Sequence, residues 1–304
     1  MLTRRPKARP AQISGKQARR YRRIRFVLIW VLVANLGVAL GKGGVGFSIG
    51  SISMVADAFH SLMDGSSNII GIIGITLASR PRDESHAYGH TKFETFASLG
   101  VVLLLLITAL EIGRSVIDRL MHPQAPDVGV AAFAVMIATI AVNIAISSTE
   151  RRAGRRLNSN FLVADSRHTM SDVWVSMSVI VSLVAAALGY PLMDAIVAGI
   201  IAIIIAYWAV RIMQEASSVL LDRAIIDPGR VKEVCMSVKA EGLLDCHKIR
   251  TRGSEAGYWI DLHLLVEPQM TTKDSHRIAS LVERRLKNTF GDETDTVIHI
   301  EPGR

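Results

Sequence analysis

Two copies of one pattern, His60-x-x-x-Asp64 and His168-x-x-x-Asp172, stand inside long apolar stretches of this 304-residue chain. On a helix, residues four apart project from one face a turn apart, so each pair presents an imidazole and a carboxylate together. Ionisable groups at bilayer depth are costly and mark ion pathways. Two imidazoles and two carboxylates suit tetrahedral Zn²⁺, and the pattern predicts a membrane carrier for a divalent metal. The bland alternative is a pair of interhelical hydrogen bonds; identical pairs on two separate stretches favour the metal. Asp57 and Asp165, each three residues before a histidine, fall near the same faces and could orient the ligands or line the approach. Loading such a site needs neutral imidazole and ionised carboxylate and so displaces protons. Histidine titrates near physiological pH, which offers a way to couple metal efflux to proton influx.

Two further clusters carry ligand chemistry. Asp83-x-x-His86-x-x-x-His90 lies in a connection that turns at Gly89 and offers three donors to one exchangeable ion. Near the C-terminus stand His247, His263, His276, His299 and Glu301, and strand alternation puts His299 and Glu301 on one face. Together they suggest a metal site acting as sensor or dimer staple. The two cysteines, Cys235 and Cys246, fall in the same region; a disulfide is not expected in a cytoplasmic segment, and a buried thiol is a simpler reading than a thiolate ligand.

These residues must be positioned by membrane helices. Half the residues are hydrophobic, and six stretches approach the roughly 20 residues a crossing needs: 26–45, 51–78, 95–117, 128–147, 161–188 and 191–210. Lys42, near the end of the first, is expected to snorkel to the interface. The first 25 residues carry ten Lys or Arg and no acid, and basic residues recur at Arg80, Arg82 and Lys92 and at Arg151, Arg152, Arg155 and Arg156. By the positive-inside rule both termini are cytoplasmic. The basic tail reads as lipid-contacting or topology-setting rather than nucleic-acid-binding.

The organisation expected is therefore a basic tail (1–25), a six-helix transmembrane domain (26–214), a connector (215–220) and a cytoplasmic metal-binding domain (221–304). The last reads as helix 228–241, strands 243–252 and 258–267, helix 272–289 and strand 294–301, a small α+β domain of order α-β-β-α-β. So short a domain has a marginal core and could lean on metal or a second copy.

At these residues the chain resembles the cation diffusion facilitator family. The resemblance rests on the segment from Ala56 to Asp64 with Asn68, on Asp83 through Glu94, on Asp165 through Asp172, and on Leu220-Leu221-Asp222-Arg223. It implies a homodimeric six-span transporter with a metallochaperone-like cytoplasmic domain, exporting divalent metal against protons by alternating access. The transport site carries over to His60, Asp64, His168 and Asp172. The loop site carries over to Asp83, His86 and His90, and the tail site to His247, His263, His276 and His299 with Glu301, where relatives can have aspartate. Lys92 and Asp222 match a charge pair thought to lock the dimer near the membrane surface, and histidine at position 60 resembles zinc-preferring members.

The expectation is a Zn²⁺/H⁺ antiporter of the inner (plasma) membrane, with Zn²⁺ as substrate and regulatory or structural ion, protons as coupling ion, and lipid and a second copy as partners. Export of Fe²⁺, Co²⁺ or Cd²⁺ on the same fold is the first alternative, and a membrane metal sensor or scaffold without net transport the second. No nucleic-acid partner is expected. An enzyme is not expected either: the sequence holds no Gly-x-x-x-x-Gly-Lys-Ser/Thr phosphate loop and no His-Glu-x-x-His helix.

Overall fold

The computed structural model describes the backbone of residues 15–48, 52–121, 130–187, 192–254 and 257–303; the side chains of 52–57, 60, 63, 64, 119, 130–132, 179, 182–187 and 192–194 lie outside that description. The predicted basic residues before Gly15, the start of the fourth predicted span and the break at 189–191 fall outside it too. Six long helices come first: α1 (Gly15–Ser48), α2 (Ile52–Ala78), α3 (Lys92–Met121), α4 (Val130–Leu157), α5 (Asn160–Ala187) and α6 (Leu192–Leu220). They are followed by α7 (Pro228–Met236), β1 (Leu243–Ser254), β2 (Gly257–Val266), α8 (Thr272–Phe290) and β3 (Asp295–Pro302). The chain gathers into two compact units that divide between Ala216 and Ser217.

The first unit is a helical membrane domain. Among the described residues, four helices are long and apolar enough to cross a bilayer: Gly15–Ser48, Lys92–Asp118, Phe133–Leu157 and Ala195–Leu220. In α2 the described apolar stretch is Gly65–Ala78, and α5 is interrupted by Asp165, Arg167, His168 and Asp172. The helices that carry the ionisable pairs thus give the weaker apolar signal. Along α1, Tyr21, Ile24, Leu28 and Val31 recur at intervals of three and four and are buried, the inward stripe of a helix. Tyr21, Ile24 and Leu28 join Ile75 and Ala78 of α2, Val101 and Leu105 of α3, Phe161 and Leu162 of α5, and Ile205 and Ile212 of α6 in one core. Large apolar side chains also face outward, among them Phe26, Val33 and Leu40 of α1 and Ile203 and Tyr207 of α6, as lipid contact requires.

Close approach of α2 and α5 depends on Gly71. A Cβ there would fall 2.2 Å from Cε1 of Phe161 and 3.1 Å from Cδ1 of Leu28. Helix α1 begins at Gly15, well inside the basic segment, and Arg20 anchors it: the guanidinium pairs with the buried Glu94 of α3 at 3.0 Å and donates to the carbonyls of Leu157 and Asn158. Lys42 departs from expectation. Instead of snorkelling it is 6% exposed, and its Nζ donates to Oγ of Ser61 at 2.8 Å. The reason is packing: α1 runs along α2, with Gly43 against Ala58, so the ammonium meets a hydroxyl of the next helix before it can reach an interface.

The second unit is a three-stranded sheet, order β1-β2-β3, with β1 antiparallel and β3 parallel to β2. Strand β2 alternates: Ile260, Leu262, Leu264 and Val266 are buried, and the first three pack with Val231 and Cys235 of α7 and Ile278, Val282 and Leu286 of α8. The opposite face carries the histidines. Asp227 caps α7, accepting from the amide of Arg230 at 3.0 Å, and Pro228 opens it. That helix stops at Met236, short of the predicted end at 241, because Lys239 and Gly242 take positive φ and turn the chain into β1.

Replacing Gly71 by Val should overpack the junction of α1, α2 and α5 and cost about 1–3 kcal/mol. A lowered melting temperature in detergent would show it; unchanged stability would mean that the helices do not meet there.

Candidate metal centres

In the membrane unit α5 supplies His168 and Asp172 one turn apart, and α5 packs on α2, which carries His60 and Asp64; the side chains of those two, and of Asp57, lie outside the described residues. His168 is 4% exposed, and among the described residues neither ring nitrogen has a hydrogen-bond partner. A buried polar atom left unsatisfied is expensive. His168 and Asp172 line a cavity of about 20 Å³, enough for a single water-sized occupant. Its other walls include Asn35 of α1, Ser61 of α2 and Thr139 and Asn143 of α4. The local sequence holds the pair in place: Ser171 Oγ donates to the carbonyl of His168 at 2.6 Å and reaches Oδ1 of Asp172 at 3.4 Å.

Sequence reasoning missed Glu150. It sits in α4 and is wholly buried; its Oε2 accepts from Oγ1 of Thr169 at 3.1 Å. Its carboxyl faces that of Asp165, which is also wholly buried. Facing carboxyls in a dry interior cannot both be ionised unless positive charge stands between them. The only signal in the chain was one acid beside the arginines that follow it, which reads as a helix end at the water. Lys42 and the polar cavity walls from α1 and α4 were not singled out for the site either.

The loop centre is assembled in full. Oδ1 of Asp83 accepts from the amides of Ser85 and His86 at 3.0 and 2.7 Å and lies 3.1 Å from Nδ1 of His86, a local turn that fixes the carboxylate. Its Oδ2 lies 3.4 Å from Nε2 of His90. Gly89, at φ +87°, makes the turn that brings the two rings within 4.3 Å of one another. One donor atom from each of Asp83, His86 and His90 lies within 4.8 Å of the others. Partial desolvation pushes the Asp83 carboxyl up, but the His86 amide, the Ser85 hydroxyl and the His86 ring outweigh it and hold it at about 2.

In the second unit the sheet register does the assembling. His247 pairs with His263 and His263 with His299 across three adjacent strands. Glu301 lies two residues on from His299, on the same face. Its Oε1 is 2.7 Å from Nδ1 of His263 and its Oε2 3.0 Å from Nε2 of His247; Nε2 of His299 stands farther off, at 3.9 Å. His247, His263 and Glu301 meet the same 4.8 Å spacing. The ladder is irregular between His247 and Arg250, where Lys248 takes φ +50°, and that bulge turns the Lys248 ammonium to 3.3 Å from Glu301. Hydrogen bonding to His263 holds Glu301 down, helped by Lys248 and His247 against some desolvation, at about 2. His276 is exposed on α8 and joins no cluster of ligand atoms among the described residues. Cys246, next to His247, points into the core beside Cys235, whose thiol is pushed up by its hydrogen bond to Cys246 and by burial; these are packing thiols.

Lys92 opens α3 and Asp222 follows α6, in different compact units. Asp222 accepts from Arg252 at 3.2 Å.

The chain matches two sequence families end to end: the cation efflux transmembrane domain over residues 28–221 and the cation efflux protein cytoplasmic domain over 226–303. An uncharacterized transporter of Methanocaldococcus jannaschii is 33% identical over 276 residues, covering 90% of this chain and 96% of its own. The cation-efflux pump FieF of Cronobacter sakazakii is 31% identical over 256 residues, 83% of this chain and 84% of its own. Metal tolerance protein C1 of Arabidopsis thaliana is 26% identical over 290 residues, 89% of this chain and 61% of its own.

Glu301 is held ionised by its neighbours, and metal binding displaces protons from its ligands. Zn²⁺ affinity at the tail site should therefore fall as the solution is acidified. Glu301→Gln should weaken binding about tenfold or more yet keep that pH dependence. Calorimetry on the full chain with the loop site removed (Asp83→Ala) can check this, and loss of the pH dependence in Glu301→Gln would contradict it.

Proposed function

The chain belongs to the cation diffusion facilitator, or cation efflux, family of membrane transporters of divalent metal, and we propose that it exports Zn²⁺ in exchange for protons. The observation that carries this reading is His168: a buried imidazole whose two nitrogens have no hydrogen-bond partner among the described residues, beside Asp172, on a cavity sized for one ion. Helix packing of α5 on α2 makes His60 and Asp64 the natural complement. Imidazole and carboxylate donors in equal number favour Zn²⁺ over Mn²⁺, while Fe²⁺, Co²⁺ and Cd²⁺ share enough of that chemistry to stand as alternative substrates.

The cycle follows from the donors. Metal binds neutral imidazole and ionised carboxylate and releases protons; protons reloading the same groups on the far side would release the metal. Alternating access between the two sides then gives antiport. Six crossings, with both termini in the cytoplasm of an inner or plasma membrane, place the loop site and the tail site on the supply side. The domains are the basic tail to residue 25, the membrane domain 26–214 and the cytoplasmic domain from 221. The protein acts as a homodimer, with Lys92 and Asp222 as the proposed charge lock and the tail site, His276 included, as regulatory or structural metal. That site also supports the second reading, a sensor without flux, because it lies on a separate compact unit with its own core.

Proteoliposomes with an imposed pH gradient discriminate. Proton-driven Zn²⁺ uptake should fall to background in Asp64→Ala and in Asp172→Ala, with the dimer intact, and Co²⁺, Fe²⁺ and Cd²⁺ tested in parallel rank the substrates. Near-normal flux in both variants would remove the assigned site, and metal binding without flux in the native chain would favour the sensor.

A further inference from the structure

A groove of about 740 Å³ opens between the first and fourth helices, lined by Arg22, Arg23, Phe26 and Val27 of α1 and by Thr149, Arg152, Ala153, Arg156 and Leu157 of α4. Each set falls on one helix face, at intervals of three and four. The floor is apolar: Val27, Ala153 and Leu157 pack on the edge of the membrane core, and Phe26, 71% exposed, stands beside them. The rim is four guanidiniums. Among the described residues none of the four has an acidic partner, although Arg20 on the same α1 is neutralised by Glu94 and Arg167 pairs with Glu215. Four converging unneutralised charges repel one another, so the groove as it stands favours an anion.

Its level in the membrane says which anion. In α1 the arginine-rich segment gives way to the apolar run at Phe26, and in α4 the apolar run ends as Glu150 and the arginines begin. The rim therefore lies at headgroup height and the floor continues into the acyl region. Arginine forks match phosphate oxygens in pairs, and an apolar floor beneath them suits a hydrocarbon chain. The chain's own N-terminal residues are an unsuitable occupant, since Arg4, Arg5, Lys7 and Arg9 stand there without any acid. We infer that this groove is a binding site for an anionic phospholipid, whose phosphate sits between the arginines of α1 and α4 while an acyl chain lies along Phe26, Val27 and Leu157.

The site differs from a general attraction of basic residues to an anionic surface, because it needs both helices and only the arginines that line it. Native mass spectrometry of the full chain in neutral detergent tests it, with phosphatidylglycerol and phosphatidylcholine of identical acyl chains as probes. The native protein should retain phosphatidylglycerol in preference to phosphatidylcholine, and millimolar inorganic phosphate should not displace it. The double variant Arg23→Gln with Arg152→Gln should lose phosphatidylglycerol affinity about tenfold or more. The charge-matched pair Arg19→Gln with Arg151→Gln, one substitution on each helix but outside the groove, should lose less than about threefold. Equal losses in the two pairs would reduce the effect to surface potential. Equal retention of both lipids would make it apolar only, and displacement by phosphate would make it a free-anion site; each contradicts the proposal. The two-lipid comparison and the phosphate arm need only the native chain, so a variant that fails to fold leaves the test intact.

Discussion

Everything in the membrane unit is organised around the cost of keeping an ionisable pair dry. His168 is almost wholly buried, and among the described residues neither of its nitrogens has a hydrogen-bond partner, a condition that a folded protein tolerates where a ligand supplies the missing interaction. Meeting that cost fixes the neighbourhood. Helices α2 and α5 must approach closely, which Gly71 permits by leaving room for Phe161. The α4–α5 turn must be held, and Arg20 holds it from α1 while it neutralises Glu94. Polar groups from α1, α2 and α4 close the cavity, so four helices meet at one ion-sized space. Movement of any of them against the rest changes access to it.

The two peripheral centres solve a different problem, that of presenting donors to water without folding around an ion. In the loop, backbone amides clamp Asp83 and the turn at Gly89 sets the two rings side by side, tilted by 36°. In the soluble unit, strand register alone lines up His247, His263 and His299, and Glu301 joins two of them. Both carboxylates are held ionised at neutral pH by the groups around them. Lys248, brought to Glu301 by a bulge, sets a cation beside the tail carboxylate.

Much of this was legible in the chain. The His-x-x-x-Asp repeats, the Asp83–His90 cluster and the α-β-β-α-β order follow from periodicities of four and two, which survive any tertiary context. The tail domain came through nearly to the residue because alternation in β2 and the amphipathic α8 are strong local patterns; α7 ended early because a positive-φ turn, invisible to periodicity, cut it off. What stayed hidden was tertiary. Lys42 reads as a snorkelling residue until α1 is laid against α2, and Glu150 reads as a helix end until α4 is laid against α5. Arg20 looked like one charge among ten, yet it pairs with Glu94 inside the bundle. In each case the deciding partner lies on another helix, and nothing in the local spacing of the chain names it.

The most direct measurement is zinc K-edge absorption spectroscopy on the full chain with the loop and tail sites disabled by Asp83→Ala, His86→Ala, His263→Ala and Glu301→Ala. The account predicts one bound Zn²⁺ per chain with nitrogen and oxygen ligands at about 2.0–2.2 Å, two of them imidazole, and its loss when His168→Ala is added. Zinc that stays bound in the His168→Ala chain, or a shell without imidazole, would contradict the claim that α2 and α5 together build the transport site.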